Sequence, residues 1–274
     1  MKKSIVIFLA ATIVMIITGC SKDNENGRLV VKVTDAPFPI ELIGSATVTI
    51  NKVEIRKAGD GISDGNPFLV AWTGEKTLNL LKLRNGEVEE LTDILVTPGE
   101  FDLVRLYVSQ ANLEIDGGGS YEVKVPSGSQ TGIKIFINPG LIVEGGLTAE
   151  LLLDFDLSNS FILQGNMDSP AGIKGFHFKP VIRAVNNSTA GRLEGTVSES
   201  ETVKIAGATI TARQGDAEGI TATADAEGHY AILGLKAGTY SVVASKEGYQ
   251  TVTTSDVKIV AGNKTVVNFT LAKP

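Results

Sequence analysis

The 274-residue sequence contains one cysteine. No intramolecular disulfide can form, and zinc sites built from four cysteines, or from two cysteines and two histidines, are excluded as well. There are only two histidines. Basic residues are outnumbered, with 25 Lys and Arg against 31 Asp and Glu and a net charge of −6. A nucleic-acid partner would need a basic patch or stripe, so none is expected. Aromatic residues make up 6% and include a single Trp, which leaves few rings for stacking on sugars. Apolar residues are plentiful: 43% of the chain is hydrophobic and 20% charged. Such a chain buries cores and is not disordered. Its length suits about two domains.

The N-terminus reads as an address. Lys2 and Lys3 precede Ile5–Ile17, an uncharged apolar run of 13 residues. A helical membrane span needs roughly 20 residues, and the shorter run fits a secretory signal. It ends in Ile17-Thr18-Gly19-Cys20, which resembles the lipobox of bacterial lipoproteins. That resemblance implies cleavage after Gly19 and lipidation of Cys20, so the membrane is an expected partner. Several acyl chains hold a protein durably where one binds only reversibly. Residues 20–27 then form the lipidated Cys and a polar tether, Ser21-Lys22-Asp23-Asn24-Glu25-Asn26-Gly27. The tether resembles the acidic export signal of surface lipoproteins in Bacteroidota-type bacteria. The expected location is the outer membrane, at the cell surface or on the periplasmic face. Removing residues 1–19 takes away Lys2 and Lys3 and leaves a charge of −8.

From residue 28 onward the dominant period is two, broken by Gly, Pro, Asn and Asp. Leu29, Val31 and Val33 form one stripe, and Leu147, Ala149, Leu151, Leu153 and Phe155 form another. A change of phase at Asn51-Lys52 predicts a bulge. Turns are marked at Asp60-Gly61, Asp64-Gly65, Asn85-Gly86, Asp116-Gly117 and Asn138-Pro139-Gly140. The fold class expected is all-β: two tandem antiparallel β-sandwiches. The polar stretch Asn186-Asn187-Ser188-Thr189-Ala190 separates them. Residues 28–185 make the first domain, 186–190 the linker, and 191–274 the second domain.

Two resemblances cover most of the mature chain. The blocks Val33-Thr34-Asp35-Ala36-Pro37, Val48-Thr49-Ile50-Asn51-Lys52-Val53-Glu54-Ile55, Val104-Arg105-Leu106-Tyr107-Val108, Leu153-Asp154-Phe155-Asp156 and Phe178-Lys179-Pro180-Val181-Ile182 resemble domain of unknown function 4382. This implies an all-β, extracytoplasmic domain and brings no established activity with it. Residues 191–272, through Asp225-Ala226-Glu227-Gly228-His229-Tyr230, Ala237-Gly238-Thr239-Tyr240 and Glu247-Gly248-Tyr249, resemble the carboxypeptidase regulatory-like domain. That implies a transthyretin-like sandwich, usually an appended non-catalytic module. Tyr230 and Tyr240 should be buried with their hydroxyls partnered. Gly228, Gly238 and Gly248 should occupy positions with φ above zero.

Few residues offer chemistry. Asp154 and Asp156 are two apart on a strand and share a face. With Asp35 or Asp168 they are candidates for an oxygen-rich cation site, with calcium the candidate ion. The competing reading is a structural pair, and an acid–base pair is a third. Arg105 and Lys134 are candidate partners for those carboxylates. His177 and His229 have no nucleophile beside them in sequence, and Gly-x-Ser-x-Gly is absent. The loop 125–132 is a candidate ligand loop without the lysine of a phosphate loop. Trp72 is expected to pack in the core. No cofactor is expected, and the protein is not expected to be an enzyme. The reading is a lipid-anchored, non-catalytic envelope protein that binds or scaffolds, with a glycan first among ligands and an envelope protein as the other partner. A fimbrial or adhesin subunit, and a hydrolase using the paired Asp residues, are the alternatives.

Overall fold

The structure is a computed structural model that describes residues 26–36, 43–59, 67–125, 130–166 and 172–274. The signal segment, Cys20, most of the tether, Asp168, the turns at Gly61 and Asp64-Gly65, and the centre of the 125–132 loop lie outside the described residues.

The first domain contributes β1 (Gly27–Ala36), β2 (Ile43–Lys57), β3 (Phe68–Asn79), β4 (Glu89–Val96), β5 (Gly99–Ile115), β6 (Ser120–Val123), β7 (Ile133–Val143), β8 (Thr148–Asp156), a one-turn helix α1 (Leu157–Ser160), β9 (Phe161–Gly165), β10 (Ile173–Phe178) and β11 (Ile182–Asn186). Nine of these strands form one sheet in the order β3-β2-β5-β7-β11-β8-β1-β4, with β6 beside β5. The sheet curls until its ends meet. Thr92 Oγ1 on β4 donates to the Ala71 carbonyl on β3 at 2.9 Å. Leu29, Val31, Val33, Ile50, Leu106, Leu153 and Phe155 fill the interior. Pairing is mostly antiparallel, but β1–β8 and β7–β11 run parallel. These partners are far apart in sequence, so no hairpin forces them to be antiparallel. β9 and β10 form a separate ribbon.

The expected bulge is present: the β2–β3 register slips between Ile50 and Lys52. Trp72 is half-buried against the core. Leu147 departs from its expected stripe. It lies in the turn before β8 and is 57% exposed, while Ala149, Leu151, Leu153 and Phe155 are buried.

After β11 the chain turns at Asn186–Ala190 and enters β12 (Gly191–Ser198), β13 (Thr209–Arg213), β14 (Ile220–Thr223), β15 (His229–Leu235), β16 (Gly238–Ser245), β17 (Val252–Ile259), β18 (Lys264–Val266) and β19 (Phe269–Thr270). Strands β14-β13-β16-β17 make one layer, and β15-β12-β18, with β19 beside β12, make the other. Leu193, Ile210, Tyr230, Val242 and Phe269 pack between them as a separate core. Tyr230 donates to the Val267 carbonyl at 2.6 Å and Tyr240 to the Lys236 carbonyl at 2.9 Å. Gly228, Gly238 and Gly248 all have positive φ. The resemblance implied both features.

Candidate functional site

Strand β8 carries the two carboxylates out of the core. Its inward residues Leu151, Leu153 and Phe155 fix the phase, so Asp154 and Asp156 face the other way. They do not converge as a pair of free acids. Asp154 sits opposite Arg183 on the neighbouring β11. Arg183 Nη2 donates to Asp154 Oδ2 at 2.7 Å and Nε to the same oxygen at 3.3 Å. Burial raises the Asp154 carboxyl above its ordinary range, and the Arg183 charge offsets part of that rise. Asp156 caps α1. It accepts from the Asn159 N–H at 3.1 Å, Asn159 Nδ2 at 2.8 Å and Ser158 Oγ at 2.6 Å.

Asp35 lies near the end of β1, opposite Phe155 in the parallel register, between the positions of Asp154 and Asp156. Both of its oxygens are buried, and neither makes a hydrogen bond of ordinary length. Burial drives its carboxyl well above the usual carboxylate range, and Asp154 pushes the same way. The Leu157 amide and Arg84 oppose this only in part. Among the described residues no three carboxylate, histidine or cysteine side chains form a metal-binding set. In the structure Asp35 is a buried acid, Asp154 an ion-pair partner and Asp156 a helix cap.

The expected pairing of Asp154 or Asp156 with Arg105 or Lys134 is corrected. Arg105 lies on β5, three strands from β8 in the sheet order. It pairs with Glu54 at 3.2 Å and its guanidinium stacks 3.6 Å from the Phe68 ring centroid. Lys134 sits opposite Arg105 in the register. Sequence reasoning missed Arg183. The available signal was its place in the strand-like run 178–185, but alternation does not tell which strand lies beside that run. His177 is exposed on β10 with Phe176 and Phe178 buried, and it contacts Gln164. His229 is exposed, and its backbone N–H donates to Asp225 Oδ1 at 2.7 Å.

Arg183 also crosses to the second domain. Its Nη1 donates to the Gly234 carbonyl at 3.1 Å. Beside this crossing opens a cleft of about 950 Å³ with walls from both domains. Ser158, Asn159, Ile162 and Lys179 face it from the first domain, and Gln214, Glu218, Thr221 and Lys236 from the second. Asp154 and Asp156 are among its lining residues, with Asp154 Oδ2 engaged by Arg183 and both Asp156 oxygens engaged by Ser158 and Asn159. No large aromatic face is offered, since Tyr240 and Phe161 are 5% and 4% exposed. A second hollow of about 780 Å³ also spans the domains and is lined by Leu81, Arg84, Asp225 and Lys246.

The model of the family Domain of unknown function (DUF4382) matches residues 26–180, more than half of the chain. The chain belongs to the DUF4382 family. Its DUF4382 domain is followed by a match to the carboxypeptidase regulatory-like domain over residues 192–272. Neither description names a catalytic activity. No curated protein matches the chain. Among solved structures, a candidate carbohydrate-binding protein of Bacteroides uniformis overlaps 30% of this chain and 41% of its own, at 17% identity and a TM-score of 0.26. The Bacillus anthracis TIE protein overlaps 91% of this chain and 34% of its own, at 14% identity and a TM-score of 0.26. The shaft pilin SpaA of Lactobacillus rhamnosus GG overlaps 91% and 98%, at 11% identity and a TM-score of 0.25. This chain therefore spans under half of the first two proteins. At such TM-scores no argument about function rests on these overlaps.

Proposed function

We propose that this DUF4382 protein is a non-catalytic, lipid-anchored binding module of the cell envelope that takes a glycan in the cleft between its two domains. The observation that carries the reading is the cleft itself. It is large enough for a small ligand, and both domains line it with hydroxyl, amide and ammonium groups. Such donors and acceptors suit a ligand rich in hydroxyls. The carboxylates speak against acid–base chemistry, because Asp154 is held by Arg183 and Asp156 by three donors of its own turn. The lipobox-like Cys20 supports anchorage.

A glycan array probed with the mature chain, followed by calorimetry on hits, tests the ligand. Binding that weakens at least tenfold in Asn159→Ala or Gln214→Ala supports the cleft. Absence of binding to any polysaccharide would sink the glycan reading. Binding that neither substitution alters would move the site elsewhere.

A further inference from the structure

The first domain has two ends of different character, and strand β1 joins them. At its C-terminal end, near Asp35 and Ala36, β1 approaches β14 of the second domain. At its N-terminal end, at Gly27, the chain arrives from the tether. Ten residues of strand separate these ends, a distance of roughly 30 Å.

The arrival point is tied to a single turn. The Gly146 N–H donates to the Asn26 carbonyl at 3.2 Å and the Arg28 N–H to the Leu147 carbonyl at 2.8 Å. Around that point stand three of the most exposed large apolar side chains in the described residues: Leu95 at 67%, Ile142 at 62% and Leu147 at 57%. Leu95 is directly opposite Arg28 in the β1–β4 register. Ile142 precedes Val143, which packs against Gly27. The charges at this end are Arg28, bound to Asp93, Glu144 on the turn, and Glu100, which is exposed and opposite Ile142 in the β5–β7 register.

Exposed leucine and isoleucine in a cluster lose free energy in water and gain it at a hydrocarbon boundary. The length of chain outside the described residues decides which boundary is in reach. Cys20 lies six residues before Asn26, so a fully extended tether spans only about 20 Å. A domain of this size is roughly 40 Å across. Such a tether cannot carry the arrival end far from the bilayer that holds Cys20.

We propose that Leu95, Ile142 and Leu147 form a membrane-facing rim that rests on the bilayer surface and turns the interdomain cleft outward. The proposal relies on the anchorage reading for its setting, and its test is separated from that reading. The unique thiol of the mature chain is coupled to maleimide-bearing lipid in phosphatidylcholine vesicles containing nitroxide-labelled lipid. This fixes the anchor chemically, whatever happens in the cell. In a Trp72→Phe background, tryptophan is placed by Leu147→Trp, by Ile142→Trp, and, as the distant control, by Val203→Trp in the second domain. Quenching several-fold stronger for the two rim positions than for the control is expected. Equal quenching at all three positions, or none, overturns the rim. Hydrogen exchange of the unsubstituted tethered chain guards against insertion driven by the tryptophan itself. Slower exchange in the 143–147 turn than in the untethered chain is expected, and unchanged exchange there overturns the rim. Membrane fractionation of Cys20→Ser tests the anchor alone, so loss of one reading does not masquerade as loss of the other.

Discussion

Arg183 holds Asp154 at 2.7 Å within the first domain and reaches the Gly234 carbonyl of the second at 3.1 Å with the same guanidinium. One side chain thus neutralises a buried acid and ties the two domains together. Replacing Arg183 with Met leaves the Asp154 carboxylate buried without its counter-charge. Fully buried pairs lose roughly 3–5 kcal/mol when one partner is removed. Arg183 keeps 35% of its side chain in water, so a smaller loss of about 2 kcal/mol is expected. Urea unfolding checks it, and a change below about 0.5 kcal/mol would remove Arg183 from the structural account. The double variant Arg183→Met with Asp154→Leu should recover part of the loss.

Asp35 sets a pH dependence. Its carboxyl is raised by burial and by Asp154, so the folded chain holds the proton more tightly than the unfolded chain does. The contribution to stability is then complete below the unfolded carboxyl range, near pH 4. It is lost as pH rises through the higher folded value. Asp35→Asn removes that loss. The variant should be more stable than the parent near neutral pH, with the gap closing toward about pH 4. Urea midpoints across that range decide it. A variant less stable than the parent at every pH would mean that the charged carboxylate is useful to the fold.

How far the sequence reaches can be judged from these residues. Alternation located β1, β2 and β8, and the slip at Asn51-Lys52 marked a real register shift. Glycine and tyrosine positions in the second domain followed from its family resemblance. The partner of Asp154 did not follow, because it depends on which distant strand lies beside β8. Alternation records the face of a residue and says nothing of its lateral neighbour. Leu147 was misplaced for a related reason. A leucine in phase with a strand reads as core, although the Glu144–Leu147 turn, closed by a 3.2 Å hydrogen bond, ends before the strand begins. The cleft was invisible because its walls come from two domains, and alternation does not record how two domains meet.

Two glycines of the second domain should respond differently to alanine. At Gly195 a Cβ would collide with the Val267 carbonyl and press on Tyr230 at 2.9 Å. Backbone cannot yield cheaply there, so Gly195→Ala should cost about 2–3 kcal/mol. Gly248 has φ of +80° with nothing within 4 Å of its added Cβ. Only the left-handed backbone penalty applies, about 1 kcal/mol. Thermal or urea unfolding of both variants checks the order, and equal losses would contradict it.

The hydroxyls of Tyr230 and Tyr240 allow a matched comparison. Tyr230 reaches across the sandwich to the Val267 carbonyl at 2.6 Å, linking β15 to the segment that leads into β19. Tyr240 bonds a carbonyl only four residues away. Burial raises both phenols above their ordinary range, so both remain donors at neutral pH. Tyr230→Phe orphans the Val267 carbonyl and loosens two parts of the chain far apart in sequence, and a loss of about 1–2 kcal/mol is expected. Tyr240→Phe breaks a link that a short loop keeps close in any case, and about 0.5 kcal/mol is expected. If the Tyr240 variant unfolds first, the long-range bond is not what closes this sandwich.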